Sequence, residues 1–151
     1  MKTLLHTIAL LAGLQLATVA APAVNNPTDE PATYKLTIRV ANVKARQGTI
    51  NVAITNAETA ATGGSYRKTR VAVPASGEVT INFEGLPAGQ YAVRMFHDVN
   101  SNLKLDYNGP MPLEPFGFSN GPTETGGFSF DHNSFSVNAD QTITVQLVQL
   151  N

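Results

Sequence analysis

Cysteine is absent from the 151-residue chain, which excludes disulfides, thiolate catalysis and zinc sites built on cysteine. Tryptophan is absent too, only 14% of residues are charged, and the formal net charge is -1. A chain with this charge has no basic field with which to hold nucleic acid. One domain is the expectation at this length. Without disulfides, that domain is held together by its core or by a bound ion.

The first 23 residues have the pattern of a secretory signal peptide. Lys2 supplies a positive start, and an apolar stretch runs over residues 4–16. Small residues follow, and we expect cleavage between Ala20 and Ala23. The apolar run is shorter than the ~20 residues that span a bilayer, which favours cleavage over a membrane anchor, and no later segment is long enough to cross. The pattern predicts an exported protein, periplasmic or extracellular.

The rest of the chain divides into a flexible lead-in over 24–33 and one domain over 34–151. Apolar and polar residues alternate in this domain with the period of two that is typical of half-buried strands. Seven segments show the pattern: 34–40, 50–55, 66–73, 79–83, 91–95, 133–138 and 142–149. No segment indicates a helix. The sequence predicts an all-β fold, an antiparallel two-sheet sandwich of the Ig-like or prealbumin-like kind, with a small barrel as the alternative.

A long segment from 98 to about 127 interrupts this pattern. Structureless loops of this length are uncommon in compact domains and are usually functional or disordered. This one contains large apolar side chains, which cost roughly 1.5–3 kcal/mol each to leave in water. We therefore expect the loop to pack down on the sheet. We expect the same of four phenylalanines, which are Phe116, Phe118, Phe128 and Phe130. Exposure of several of them together would instead mark a partner site.

The loop begins with oxygen-bearing side chains at alternate positions. Asp98, Asn100, Asn102 and Asp106 occupy positions 1, 3, 5 and 9 of a calcium loop, and Lys104 at position 7 offers its carbonyl. These are the hard oxygen donors that calcium prefers, and magnesium fits less well because it keeps its waters. The spacing predicts a candidate structural calcium site in the 98–106 loop.

Two positions depart from such a loop, and a reading without metal is open. Leu103 stands where glycine is wanted and Gly109 stands where a bidentate glutamate is wanted. Glu114 or carbonyl groups remain to close the site. Asp and Asn are also favoured in turns, where their side chains accept hydrogen bonds from nearby backbone N–H groups. A run of such turns explains the same residues without an ion.

A catalytic reading centres on His97. Paired with Asp106 or Glu114, it would act as the acid–base group of a periplasmic hydrolase. No Gly-x-Ser-x-Gly elbow or cysteine supplies a nucleophile, so no catalytic residue is assigned. Zinc is not expected, because His97 and His132 are the only histidines after the signal segment. The alternative for His97 is a residue at the end of the core, satisfied by a loop carbonyl or a carboxylate.

One family resembles residues 85–120. The matching positions are Gly85, Leu86, Pro87, Gly89, Tyr91, Ala92, Phe96, His97, Asp98, Asn100, Asn102, Asp106, Gly109, Pro112, Glu114 and Gly117 to Asn120. This pattern resembles the bacterial family DUF2141, with Val99 for the usual glutamate and Ser101 and Leu103 for the usual glycines. The turn over 85–91 is also similar to that of Cna-B-like sandwich domains. The resemblance implies export and a sandwich fold, and implies no activity.

We expect an exported, non-enzymatic accessory or binding module whose ligand the sequence does not name. Its partner is expected to be a protein or a carbohydrate of the envelope, and calcium in the 98–106 loop is its only candidate cofactor. The alternatives are the hydrolase described above and a purely structural envelope protein, which would show neither a cleft nor an exposed aromatic patch.

Overall fold

Alternation of apolar and polar residues decides which face of each strand is buried. In β1 (Thr33–Ala41), Leu36, Ile38 and Val40 are buried whereas Arg39 is exposed. The computed structural model describes residues 30–123 and 126–150, so the predicted signal peptide and most of the predicted lead-in lie outside the described residues. The other elements are β2 (Thr49–Asn56), α1 (Ala57–Ala61), β3 (Arg67–Ala72), β4 (Val79–Pro87), β5 (Gly89–Asp98), β6 (Tyr107–Asn108), β7 (Met111–Pro112), β8 (Phe116–Phe118), α2 (Phe130–Asn133), β9 (Ser134–Val137) and β10 (Gln141–Gln146).

The strands form two main sheets, and the predicted all-β sandwich is confirmed. The first sheet has the order β10-β1-β4, and the second has the order β3-β2-β5-β8. Strand β9 pairs with the first half of β5, and β8 pairs with its second half. One pairing differs from a purely antiparallel fold, because β1 and β10 run parallel. The chain returns from the second sheet to the first after β9, and this crossover aligns β10 with β1.

The core lies between the two sheets. Leu36 and Ile38 enter it from the first sheet, and Ile54 and Val93 enter it from the second, all without exposed surface. Each such side chain contributes about 1.5–3 kcal/mol by leaving water. Strand β8 of the second sheet passes close to the end of β10 of the first. A Cβ added at Gly117 would lie 2.5 Å from the carbonyl oxygen of Gln146, so this contact requires glycine.

Two short helices were not predicted from the sequence. Helix α1 begins at a capping box, in which Asn56 Oδ1 accepts the backbone N–H of Thr59 (2.9 Å) and Thr59 Oγ1 accepts that of Asn56 (3.1 Å). The helix buries no residue, so it has no apolar periodicity, and its capping pair was the only signal. Within the described ranges, no helix is long and apolar enough to cross a membrane.

A buried polar network holds the far end of the long loop. Asn133 is fully buried, and its Nδ2 donates to the carbonyls of Ser119 and Gly121, each at 2.6 Å. Its Oδ1 accepts the backbone N–H of Ser129 (2.8 Å). The hydroxyl of Ser119 accepts the N–H of Val93 (2.8 Å), which fixes the loop to the middle of β5.

Candidate functional site

The acidic loop, residues 98–106, begins at the buried end of β5. Asp98, the last residue of that strand, has no exposed surface. Its Oδ1 accepts the backbone N–H of Asn102 (3.0 Å), and its Oδ2 accepts that of Leu103 (2.9 Å). The carboxylate thus fixes the backbone of the five residues that follow it.

The remaining predicted ligands converge on Asp106. Its carboxylate accepts amide N–H groups from Asn100 (2.7 Å) and from Asn102 (2.8 and 3.0 Å). The side-chain oxygens of the two asparagines accept backbone N–H groups in turn, Asn100 from Asn102 (3.1 Å) and Asn102 from Lys104 (2.9 Å). The structure therefore brings all four predicted side chains together, joined by hydrogen bonds of the kind found in Asp and Asn turns.

The backbone adopts left-handed turns at two residues that are not glycine. Ser101 has a φ of 61° and Leu103 a φ of 70°. Leu103 is the sixth position of the loop, where a calcium loop uses glycine to turn sharply. The turn is made here with leucine, at a steric cost of roughly 1–2 kcal/mol.

Glu114 holds the two ends of the acidic loop together. It is buried, its Oε1 accepts the N–H of Val99 (2.9 Å), and its Oε2 accepts that of Asp106 (3.4 Å). In the described part of the chain, no three His, Asp or Glu side chains are grouped so as to hold a metal ion. A cation in this loop would be held by two carboxylates with amide and carbonyl oxygens.

His97 lies under the loop with no exposed surface. Its Nε2 is 2.7 Å from the carbonyl oxygen of Gln47; since a carbonyl only accepts, this nitrogen carries the proton. The other nitrogen, Nδ1, is buried and has no hydrogen-bond partner among the described residues. No hydrogen bond joins His97 to Asp106 or Glu114 within the same residues. The imidazole is buried and hydrogen-bonded to a loop carbonyl, which agrees with the prediction of a His at the end of the core.

The outer face of the second sheet forms the floor of an open groove of about 940 Å³. Pairing across β3, β2, β5 and β8 sets two rows on this face. One row is Lys68, Ala53, Arg94 and Phe118, and the next is Arg70, Asn51, Phe96 and Phe116. Parts of the long loop also line the groove, including Leu103, Leu105, Tyr107, Pro112 and Phe128.

Three cations on this floor have no carboxylate partner in the described ranges, where the ion pair of Lys35 with Glu84 is the sole one. Arg70 Nε donates to Asn51 Oδ1 (2.8 Å). Arg94 Nη2 donates to the Gly64 carbonyl (2.8 Å) and the Ser65 hydroxyl (2.9 Å). These neutral partners orient the guanidinium groups and leave their charge in place. No aspartate or glutamate is among the described residues that line the groove.

Aromatic rings continue the floor beside these cations. The ring of Phe118 lies 5.5 Å from that of Phe116 and 5.6 Å from that of Phe128, and the guanidinium of Arg94 lies 5.8 Å from the Phe128 ring. Phe116 is buried, as expected, whereas Phe118 and Phe128 are half-buried and line the groove. The sequence analysis missed one sign of this surface. Phe96 is an aromatic residue at an outward-facing position of an alternating strand, where polar residues are expected.

The loop packs down less completely than its composition predicts. Leu103 and Tyr107 each expose 57% of their surface, and Met111 and Leu113 are also exposed. Tyr107 and Met111 belong to the hairpin of β6 and β7, whose two strands pair with each other and stand beside the groove. This exposed apolar surface is continuous with the groove through Leu103 and Tyr107, which line it.

The fold and groove define a class of protein, a two-sheet β-sandwich with an open, partly aromatic groove on one sheet. The sequence pattern of the DUF2141 family, described as an uncharacterized protein conserved in bacteria, matches residues 38–146. The chain belongs to this family, which confirms the resemblance drawn from residues 85–120. No curated protein and no solved structure matches the chain.

Proposed function

We propose that the protein is an exported, non-enzymatic binding module whose groove takes a ligand with an apolar body and a negative charge. The observation that carries this proposal is the groove floor, where three cations without carboxylate partners adjoin half-buried aromatic rings. Concave, mostly apolar sites with a few convergent polar groups are the usual form of ligand pockets. Residues of the long loop line the groove, so the loop has a direct part in binding.

The two alternatives receive less support. A hydrolase built on His97 needs that imidazole to reach substrate, and His97 is fully buried with Nε2 bonded to Gln47. A purely structural protein has no use for a groove of about 940 Å³ that joins exposed side chains of a hairpin. Both observations favour a binding role.

Binding to the groove can be tested with anilinonaphthalene sulfonate, an aromatic anion that fluoresces when it leaves water. Ala53 lies on the floor between Lys68 and Arg94. Ala53→Trp fills the floor without removing a charge, and we expect dye affinity to fall by about tenfold or more, a loss of about 1.4 kcal/mol. Thr144→Trp, at an exposed position of the other sheet, is the matched control and should bind as the parent protein does. Equal dye binding by both variants would reject the groove as the binding site.

We also propose a structural calcium site in the acidic loop, since the Asp106 carboxylate accepts from the side chains of Asn100 and Asn102, and the Asp98 carboxylate accepts the backbone N–H of Asn102. Millimolar calcium should then raise the melting temperature, because a ligand that binds only the folded state stabilises it. Asp106→Asn and the double change Asp98→Ala with Asp106→Ala should abolish the rise. Asp131→Ala, at an exposed position of α2, should retain it. An unchanged melting temperature in calcium rejects the site.

Export is proposed from the signal-like N-terminus alone. N-terminal sequencing of the protein from the envelope or medium of producing cells should begin between residues 20 and 24. Retention of the full chain in the cytoplasm would contradict it.

A further inference from the structure

We infer that the groove binds a fatty carboxylate, with the carboxylate at its cationic end and the chain along its aromatic end. The inference rests on the proposed binding function and names the ligand class. It follows from three features of the groove: where the charge lies, where the apolar side chains lie, and how few neutral hydrogen-bonding groups line it.

The cationic end is formed by Lys68, Arg70 and Arg94. Lys68 and Arg70 are two residues apart on β3 and share the outer face, so their Cα atoms are about 7 Å apart. Arg94 lies two strands from Lys68 in the same row, about 10 Å away. Three positive groups at this spacing, with no carboxylate among the described lining residues, attract one anionic head group.

The apolar end lies farther along the same rows. Both rows finish in phenylalanine on β8, Phe116 and Phe118. Leu105 and Pro112 from the long loop line the groove, as does Phe128. The four strands from β3 to β8 span about 14 Å from the first to the last. A ligand that lies along the row from Arg70 meets charge first and ends on the rings of Phe96 and Phe116. In the row from Lys68, Arg94 is the last cation before Phe118.

Among the described residues, four neutral hydrogen-bonding side chains line the groove, Asn51, Ser65, Thr69 and Tyr107, and the first two are engaged. Asn51 Oδ1 accepts from Arg70, and Ser65 Oγ accepts from Arg94. A carbohydrate or an extended peptide would bury hydroxyl or amide groups, and a buried polar group that is left without a partner is costly. An acyl chain has no such groups, and its polarity is confined to one end. The groove has the same division.

The test is competition for the dye bound to the groove. Laurate should displace it, whereas dodecanol, which has the chain without the charge, and acetate, which has the charge without the chain, should be much weaker. Lys68→Gln with Arg70→Gln should weaken laurate binding by about tenfold, because each change removes a positive charge that attracts the carboxylate. The matched control is Arg39→Gln with Lys44→Gln, two exposed cations outside the groove, which should leave laurate affinity unchanged. Circular dichroism checks that each variant is folded.

Each other outcome overturns the inference. Equal displacement by dodecanol and laurate means that the cations select nothing. Stronger displacement by an acidic peptide or by a uronic acid oligomer assigns the groove to those ligands. Binding to phosphatidylglycerol vesicles without displacement by laurate assigns it to a membrane surface. If the dye binds in an Ala53-dependent way and laurate fails to displace it, only the fatty-acid inference falls. If the dye does not bind the groove at all, the proposed function falls as well.

Discussion

A methyl group added at Gly48 meets the backbone at the start of the acidic loop. Gly48 has a φ of +74°, and a Cβ built there collides with the carbonyl oxygen of Asp98 and lies 2.9 Å from Cα of Val99. These atoms cannot move aside easily, since Thr49 pairs with Asp98 and the Asp98 carboxylate is bonded to the loop. Gly77 is a matched control, with a φ of +87° and no atom within 4 Å of its added Cβ.

The two substitutions separate the backbone cost from the collision. Alanine in the left-handed conformation destabilises the folded state by roughly 1–2 kcal/mol. The lower conformational entropy of the unfolded alanine chain offsets about 0.4–1 kcal/mol of this loss. Gly77→Ala should therefore lower the free energy of unfolding by about 1 kcal/mol. Gly48→Ala carries the same cost and adds about 1–3 kcal/mol of overpacking, so its total loss should be about 2–4 kcal/mol.

Urea unfolding measures both losses. With an m-value near 2 kcal/mol/M, Gly48→Ala should lower the midpoint by about 1–2 M, and Gly77→Ala by about 0.5 M. Similar midpoints for the two variants would show that the turn at Gly48 does not press against the loop. The reasoning about how the loop is supported would then be refuted.

Three further outcomes are expected. Asn133→Ala leaves the buried carbonyls of Ser119 and Gly121 without their donor. The free energy of unfolding should therefore fall by about 3–4 kcal/mol in urea titration. A loss below about 1 kcal/mol would contradict the role of this network. Burial, and to a smaller extent Tyr66, raises the pKa of Tyr91 above its ordinary 10.0, against a smaller lowering by Arg67. The folded state therefore favours the neutral phenol, and stability should be full below pH 10 and fall as pH rises through the folded pKa. Tyr91→Phe should remove that alkaline loss in melting curves, and an unchanged loss would assign it to other groups. Leu103→Gly removes the steric strain of a left-handed leucine whose surface is 57% exposed. The free energy of unfolding should rise by up to about 1 kcal/mol in the same titration. A clear loss would show that the leucine side chain stabilises the loop.

The strands of the sandwich were predictable because their side chains alternate with a period of two. Segments such as 34–40 and 50–55 correspond closely to β1 and β2, since one face of each strand packs in the core. The helices were not predictable in this way. Helix α1 buries nothing, and α2 is four residues long, so neither leaves an apolar period in the sequence.

The acidic loop was predictable as a cluster but not as a set of contacts. Alternate spacing indicated that Asp98, Asn100 and Asn102 act together, and they do lie together. The sequence left two readings open, a metal site and a run of turns. Only coordinates show that Glu114 closes the loop through backbone N–H groups of Val99 and Asp106, because that contact joins residues 15 apart along the chain.

The sequence by itself determined the strands, the family and the position of the unusual loop, because each depends on residues close together in the chain. The tertiary structure decided which outward-facing residues meet. Lys68, Arg94 and Phe118 come from three strands and share one row only because of the order and register of the second sheet. Pairing between distant strands is set by the packing of the whole core, and that is why the groove could not be predicted from the sequence.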